Sequence, residues 1–184
     1  MRTELTAPGA KMLRRRRQQA ENRQDLLGLV LRVLALAVAG VVLFSQVFLI
    51  IQAPDNDMFP AVKDGDLLIG YRLQRRFVKN DVVVYRQEGR TRVGRILGVA
   101  GDMIMLDDSG TLLVNGAAQS GEILYPTYPR DTGDTLAYPY TVPQDCVFLL
   151  GDYRTQSSDS RDFGAVLLSD IQGKVISLLR RRTL

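Results

Sequence analysis

Hydrophobic and polar positions divide the chain into two parts with different rhythms. Val33 to Ile51 reads VLALAVAGVVLFSQVFLII, a run without charge in which only Ser45 and Gln46 are polar interruptions. With Leu26 to Leu31 in front, it supplies the ~20 apolar residues that a helix rising ~1.5 Å per residue needs to cross a bilayer core. The pattern therefore predicts a transmembrane helix over 26–51. Arg32 is tolerated near the start because its long stem carries the guanidinium out to the headgroups. The run is too long for the apolar stretch of a secretory signal, and no A-x-A-like cleavage site follows it.

Beyond Gln52 the period shortens. β-branched runs at Asp66 to Tyr71, Asp81 to Tyr85, Thr91 to Val99 and Val147 to Leu150 are bounded by turn formers. These include Lys63-Asp-Gly, Glu88-Gly, Ala100-Gly-Asp, Asp107-Asp-Ser-Gly, Asn115-Gly and Asp131-Thr-Gly. A mainly β domain over 52–184 is expected, built as a twisted, partly closed sheet system. One hairpin is expected to turn on Asn115-Gly116. Gly121 to Pro143, rich in Tyr, Pro and Thr, reads as an extended loop or an irregular excursion from the main sheet.

Charge changes the picture at one end only. Residues 1–32 carry a net +5 and the remaining chain a net −1, within a total of +4. A basic segment at 1–25, ahead of an apolar helix, orients that helix with its start in the cytoplasm. The chain is thus expected in the plasma membrane, with its C-terminal domain extracellular. Membrane topology accounts for the arginine run, so no nucleic-acid partner is expected. Cys146 is the single cysteine, which excludes an intramolecular disulfide and suits a small core residue. The chain has no histidine, which removes every mechanism that needs imidazole as base or metal ligand. No cofactor and no metal site are expected.

Four blocks occur in a fixed order: the apolar helix, then DNDMFPAVKDGDLLI, then KNDVVVYR with RVGRILGVAGD, then GDYRTQSSDSRDFG. In that order they resemble the signal peptidase I family, whose pattern runs S-M-x-P-T-L, r-G-D-v-V-v-f, K-R-v-i-G-x-P-G-D and G-D-N-R-x-x-S-x-D-S-R-x-F-G. The matches span 33–176. The last block is the most specific, since Gly151, Asp152, Arg154, Ser157, Asp159, Ser160, Arg161, Phe163 and Gly164 all fall in register. The resemblance implies a serine hydroxyl that attacks a peptide carbonyl and a buried neutral lysine that takes its proton.

The departures from that pattern bear on chemistry. Placing Met58 and Pro60 on S-M-x-P puts Asp57 at the nucleophile position, and Asp55 at the position that often helps the oxyanion. Placing Arg95, Gly98, Gly101 and Asp102 on the third block puts Gly94 at the general-base position. Sliding the register to Arg92 or Arg95 supplies only a guanidinium, whose pKa above ~12 rules out a base. Lys63, Lys79 and Lys174 fall in blocks that the pattern places away from the dyad. Asp55 and Asp57, at i and i+2, could also form an aspartic dyad or a cation site. Dyads, however, usually draw carboxylates from separate loops, and Phe59 breaks the EF-hand pattern.

The resemblance also implies roles for the neighbours. Asp55, Asp57, Met58, Phe59, Pro60, Val93, Gly94, Arg95, Tyr153 and Ser157 are expected to line a groove that binds a client. Gly151, Asp152, Arg154, Asp159, Ser160 and Arg161 are expected to pin the loop beside it through charge-assisted bonds. Active members bind the extended chain as an added strand, which needs backbone edges rather than catalytic side chains. Asp for Ser with Gly for Lys, and GDYR for GDNR, is similar to the inactive signal peptidase-like proteins that accompany sortase-built pili of Gram-positive bacteria. The resemblance then implies a pilin or sortase client and a chaperone-like role in pilus assembly. The alternative is an active signal peptidase of unusual mechanism.

Overall fold

The computed structural model describes residues 7–119, 125–130 and 136–180. Helix α1 (Ala7–Val47) runs for 41 residues. Its Asp25–Val47 part, 23 residues with a mean hydropathy of 2.7, is long and apolar enough to cross a membrane. Its large apolar side chains stand exposed, Leu36 to 73 %.

The helix stops before the apolar run does. Phe48–Gln52 forms strand β1, which corrects the expectation of helix as far as Ile51. The physical reason is a partner. Strand β2 (Leu67–Tyr71) pairs antiparallel with β1 from Phe48 opposite Tyr71 to Gln52 opposite Leu67. That pairing buries Leu49 and sets the Phe48 and Tyr71 rings 6.2 Å apart. An apolar run alone does not distinguish a helix from a strand with a waiting neighbour.

Residues from Gln46 onward form their own compact unit. Its strands continue with β3 (Val82–Gln87), β4 (Arg90–Val99), β5 (Met103–Leu106), β6 (Leu112–Val114) and β7 (Ala117–Ala118). After these come β8 (Tyr140–Thr141), β9 (Cys146–Leu150), the short helix α2 (Ser160–Phe163), β10 (Val166–Leu167) and β11 (Ile171–Leu179). A seven-stranded sheet has the order β1-β2-β11-β3-β4-β9-β10, and a four-stranded sheet the order β7-β6-β5-β8. All of the pairings are antiparallel. The fold is mainly β, as the short β-branched runs predict.

The β6–β7 hairpin turns on Asn115 and Gly116, both at positive φ, where Asn and Gly carry the smallest penalty. Part of the stretch read as a loop joins the second sheet, since Tyr140–Thr141 pairs with Met103–Ile104. The turn expected at Asp131-Thr-Gly, and the start of that loop at Gly121, lie outside the described residues.

Alternation along the strands sorts the core. Val84 and Val93 pack with Leu49, Ala53, Met58, Val62 and Leu68. Val83, Tyr85 and Ile96 pack on the other face with Val147, Leu149 and Val166. A third cluster joins Leu97, Phe148 and Leu150 of the large sheet to Ile104, Leu106 and Leu112 of the small one. Gly98 lets the two sheets meet, because a Cβ there would stand 2.8 Å from the Ile104 Cδ1. Cys146 is buried in this cluster as a free thiol.

Candidate functional site

Asp57 lies in the turn that leaves β1, at a junction of three segments. Asp55 shapes that turn by accepting the Asp57 N–H at 3.1 Å. The Asp57 carbonyl accepts the Tyr153 N–H at 2.9 Å, and its Oδ2 accepts the Ser158 N–H at 3.3 Å. Gly151 makes this approach possible. A Cβ there would fall 2.5 Å from the Asp57 carbonyl oxygen and 2.3 Å from the Ser157 Cβ, distances that no side chain tolerates.

Strand β4 brings the second part. Side chains at 92 and 94 share one face of the strand, and those at 93 and 95 the other. On the first face, Arg92 Nη1 stands 3.6 Å from Asp57 Oδ2 and 3.4 Å from the Ser158 carbonyl. Its guanidinium also lies over the Phe163 ring at 5.9 Å, while its Nε is buried without a hydrogen-bond partner. Gly94 contributes no side chain. The Tyr85 ring closes over it, with Cε1 3.1 Å from where a Cβ would stand. Tyr85 is the cross-strand partner of Arg92 and is 1 % exposed.

The charges set the state of the carboxyl. Burial first, and then the neighbouring Asp55, push the Asp57 carboxyl up to about 6, against the pull of the Ser158 N–H and Arg92; Asp159 adds to the rise. Arg92 at 3.6 Å is thus too distant a partner to neutralise Asp57 fully. Burial likewise holds the Tyr85 phenol far above its ordinary range.

The C-terminal block is bonded much more tightly. Asp159 caps α2 in a capping box with Asp162 and receives the Gly151 N–H at 3.1 Å. Arg161 grips both carboxylate oxygens of Asp159 at 2.8 Å and donates to the Arg154 carbonyl at 2.6 Å. Arg154 donates to the Gly151 carbonyl and to Thr127 Oγ1 at 2.9 and 2.7 Å. The Ser160 hydroxyl accepts the Leu149 N–H at 2.9 Å. Asp152 holds Arg95 through two bonds of 2.8 and 2.6 Å.

Four residues expected in the groove sit elsewhere. Met58 and Val93 are 1 % and 4 % exposed and packed in one core cluster, Val93 because alternation along β4 turns it away from Gly94 and Met58 because the turn after β1 points it inward. Ser157 is fully buried and donates to Asp159 Oδ2 at 2.7 Å. Arg95 points to the face opposite Gly94, where Asp152 and the Asn80 carbonyl hold it. What remains around Asp55, Asp57 and Gly94 is partly exposed and aromatic. Tyr153 lies 5.7 Å from Phe59 and 4.8 Å from Tyr125, ring centre to ring centre, and Pro60 follows Phe59 in the turn. Sequence reasoning weighed Arg92 only as a base and set it aside, and it missed Tyr85. Arg92 shares a face with Gly94 by simple alternation, whereas Tyr85 is visible only once the β3–β4 register is known.

A cleft of about 370 Å³ lies apart from these residues, lined in part by Asp81, Lys174 and Ser177. The Lys174 ammonium is tied to Asp81 there at 2.7 Å. Among the described residues, no group of three or more His, Cys, Asp or Glu side chains could hold a metal ion.

The structure defines an antiparallel β domain in a chain whose N-terminal helix is long and apolar enough to cross a membrane. A family model described as "Signal peptidase, peptidase S26" matches residues 26–179, and the chain belongs to that family. Signal peptidase I of Bacillus caldolyticus is 35 % identical over 136 residues, covering 65 % of this chain and 72 % of that protein. Signal peptidase IB of Staphylococcus aureus is 30 % identical over 163 residues, covering 78 % and 85 %. A crystal structure of a signal peptidase I from Enterococcus faecalis aligns over 56 % of this chain and 98 % of its own, with 26 % identity and a TM-score of 0.44.

Proposed function

We propose that this protein is a membrane-anchored signal peptidase-like pseudo-enzyme that holds an extended peptide without cutting it. The observation that carries this reading is the pair formed by Asp57 and Gly94. A carboxylate flanked by Asp55 and Arg92 stands at the nucleophile position, and a glycine covered by the Tyr85 ring stands at the base position. A hydroxyl-based attack has no hydroxyl at position 57, and proton removal has no amine at position 94. An oxyanion forming near Asp55 and Asp57 would meet negative charge where the reaction needs donors.

Binding does not need those groups. Strand β1 closes one end of the seven-stranded sheet and leads into the Asp57 turn, so its outer edge offers backbone groups to an added strand. Phe59 and Tyr153 add apolar surface beside it. The helix anchors this domain, with its basic start in the cytoplasm and residues after Gln52 outside. The proposed client is a pilin or its sortase, and the role chaperone-like in sortase-dependent pilus assembly. That part rests on the exchange of Asp for Ser and Gly for Lys, together with GDYR for GDNR. Deletion and complementation test it. Pili should fail to polymerise without the gene and recover with the wild type; polymerisation in the deletion strain overturns the pilus role.

A second reading is an active signal peptidase of unusual mechanism, favoured by the names of the relatives. Cleavage of a signal-peptide substrate by the wild type separates the two.

A further inference from the structure

The segment between β2 and β3 differs in charge from the domain that carries it. Arg72, Arg75, Arg76 and Lys79 stand there with no acid between Asp66 and Asp81, whereas residues 33–184 as a whole have a net charge of −1. Lys79 is answered by Asp102 at 3.2 Å, and Asp81 by Lys174 at 2.7 Å. Arg75 and Arg76 are exposed and form no ion pair among the described residues. Two fixed cations are therefore left to solvent side by side, where they repel each other and draw in an anion.

A separate observation places this loop. The Arg72 N–H donates to the Val47 carbonyl at 2.9 Å, and the Arg72 Nε to the Phe48 carbonyl at 3.3 Å. Val47 is the last residue of the Asp25–Val47 stretch that is apolar enough to cross a membrane. Arg75 and Arg76 follow Arg72 within about 14 Å of chain, at ~3.5 Å per residue. The far end of the loop is fixed. Phe77 packs against the cluster of Val83, Tyr85 and Ile96, and the Val78 N–H donates to Asp81 Oδ2 at 3.1 Å. Leu73 and Val78, on either side of the arginines, are nonetheless 53 % and 58 % exposed. Apolar side chains flanking free arginines, beside the end of a membrane span, match a headgroup layer with its acyl boundary and its phosphates.

From these observations we infer that the β2–β3 loop docks on anionic phospholipid headgroups beside the end of α1. Each guanidinium offers a planar fork of N–H donors that fits the oxygens of a phosphate. Leu73 and Val78 enter the acyl boundary and lose their contact with water. An acidic macromolecule in solution would also meet the arginines, but it would leave those two side chains wet. The contact gives the domain a second attachment to the membrane, through charge rather than through the apolar span. It is independent of any peptide held near Asp57, and it rests on α1 crossing the bilayer.

The test uses the full-length chain with an environment-sensitive fluorophore on Leu73→Cys or, in a second preparation, on Val78→Cys. The wild-type chain, whose single thiol at Cys146 is buried, gives the background of labelling. Each protein is assembled into nanodiscs of phosphatidylcholine, or of an equal mixture of phosphatidylcholine and phosphatidylglycerol, with a quencher on the acyl chains. Quenching at both positions should be strong in the mixture and weak in phosphatidylcholine. Arg75→Gln with Arg76→Gln should lower the ratio of docked to free loop in the mixture by about fivefold per arginine removed. Salt at about 1 M, where the Debye length falls to about 3 Å, should do the same. Thermal unfolding of each variant confirms that it folds. Equal quenching in the two lipids overturns the anionic headgroup as the ligand. Quenching in neither overturns the docking and leaves the membrane span standing. Failure of the chain to elute with the disc overturns the span, and the inference with it.

Discussion

Arg161 and Arg92 both face carboxylates, and they do so differently. Arg161 is almost completely buried and grips Asp159 with two bonds of 2.8 Å, with further bonds to the Arg154 carbonyl and the Ser157 hydroxyl. Arg92 reaches Asp57 only at 3.6 Å, donates at 3.4 Å to one carbonyl, and leaves its Nε unpaired. The first network closes on itself and serves the fold. The second stays unsatisfied, beside Asp57. The bonds that fix the C-terminal block are thus separate from those that hold Asp57.

That contrast can be broken from its strong side first. Arg161→Ala leaves Asp159 charged and buried and should cost about 3–5 kcal/mol, read as a fall in the denaturant midpoint. A loss under about 1 kcal/mol would remove the distinction between the two arginines. Gly151→Ala should cost about 1–3 kcal/mol, since the added methyl collides with Ser157 and the Asp57 carbonyl. It should loosen the Asp57 turn, seen as faster amide exchange at Tyr153, whose N–H donates to the Asp57 carbonyl.

At the weak side the sign reverses. The Asp57 carboxyl rises from 3.8 to about 6 on folding, so the folded state holds its proton more firmly than the unfolded chain does. Its stabilising contribution is complete below about pH 4 and is lost as pH rises through 6. Asp57→Asn should therefore raise stability at pH 7.5, by about 1 kcal/mol after allowing for solvent screening, and flatten the pH dependence between 4 and 6. A loss of stability at pH 7.5 would mean that Arg92 binds Asp57 more strongly than its distance implies.

How much of this was legible beforehand differs between fold and site. The strands were visible because β-branched runs bounded by Gly and Asp leave few alternatives, as at Val82–Gln87 and Cys146–Leu150. The end of the helix was not, because Phe48–Ile51 is as apolar as the helix before it and its strand partner lies at Leu67–Tyr71. Positions 57 and 94 emerged from motif register rather than from any pattern in hydrophobicity. Met58, Val93 and Ser157 went astray because motif adjacency says nothing of which side a residue faces. Tyr85 meets Gly94 only through the pairing of β3 with β4, a contact between strands that no local pattern encodes.

The central claim, a groove that binds without cutting, is tested most directly by incubating purified full-length wild-type protein with a signal-peptide-bearing precursor and following product by mass spectrometry. An active relative serves as the positive control. The account predicts intact precursor after times at which the relative has processed all of it, at pH 6 and pH 8 alike. Precursor cleaved at its signal site by the wild type, and spared by Asp57→Asn, would contradict it.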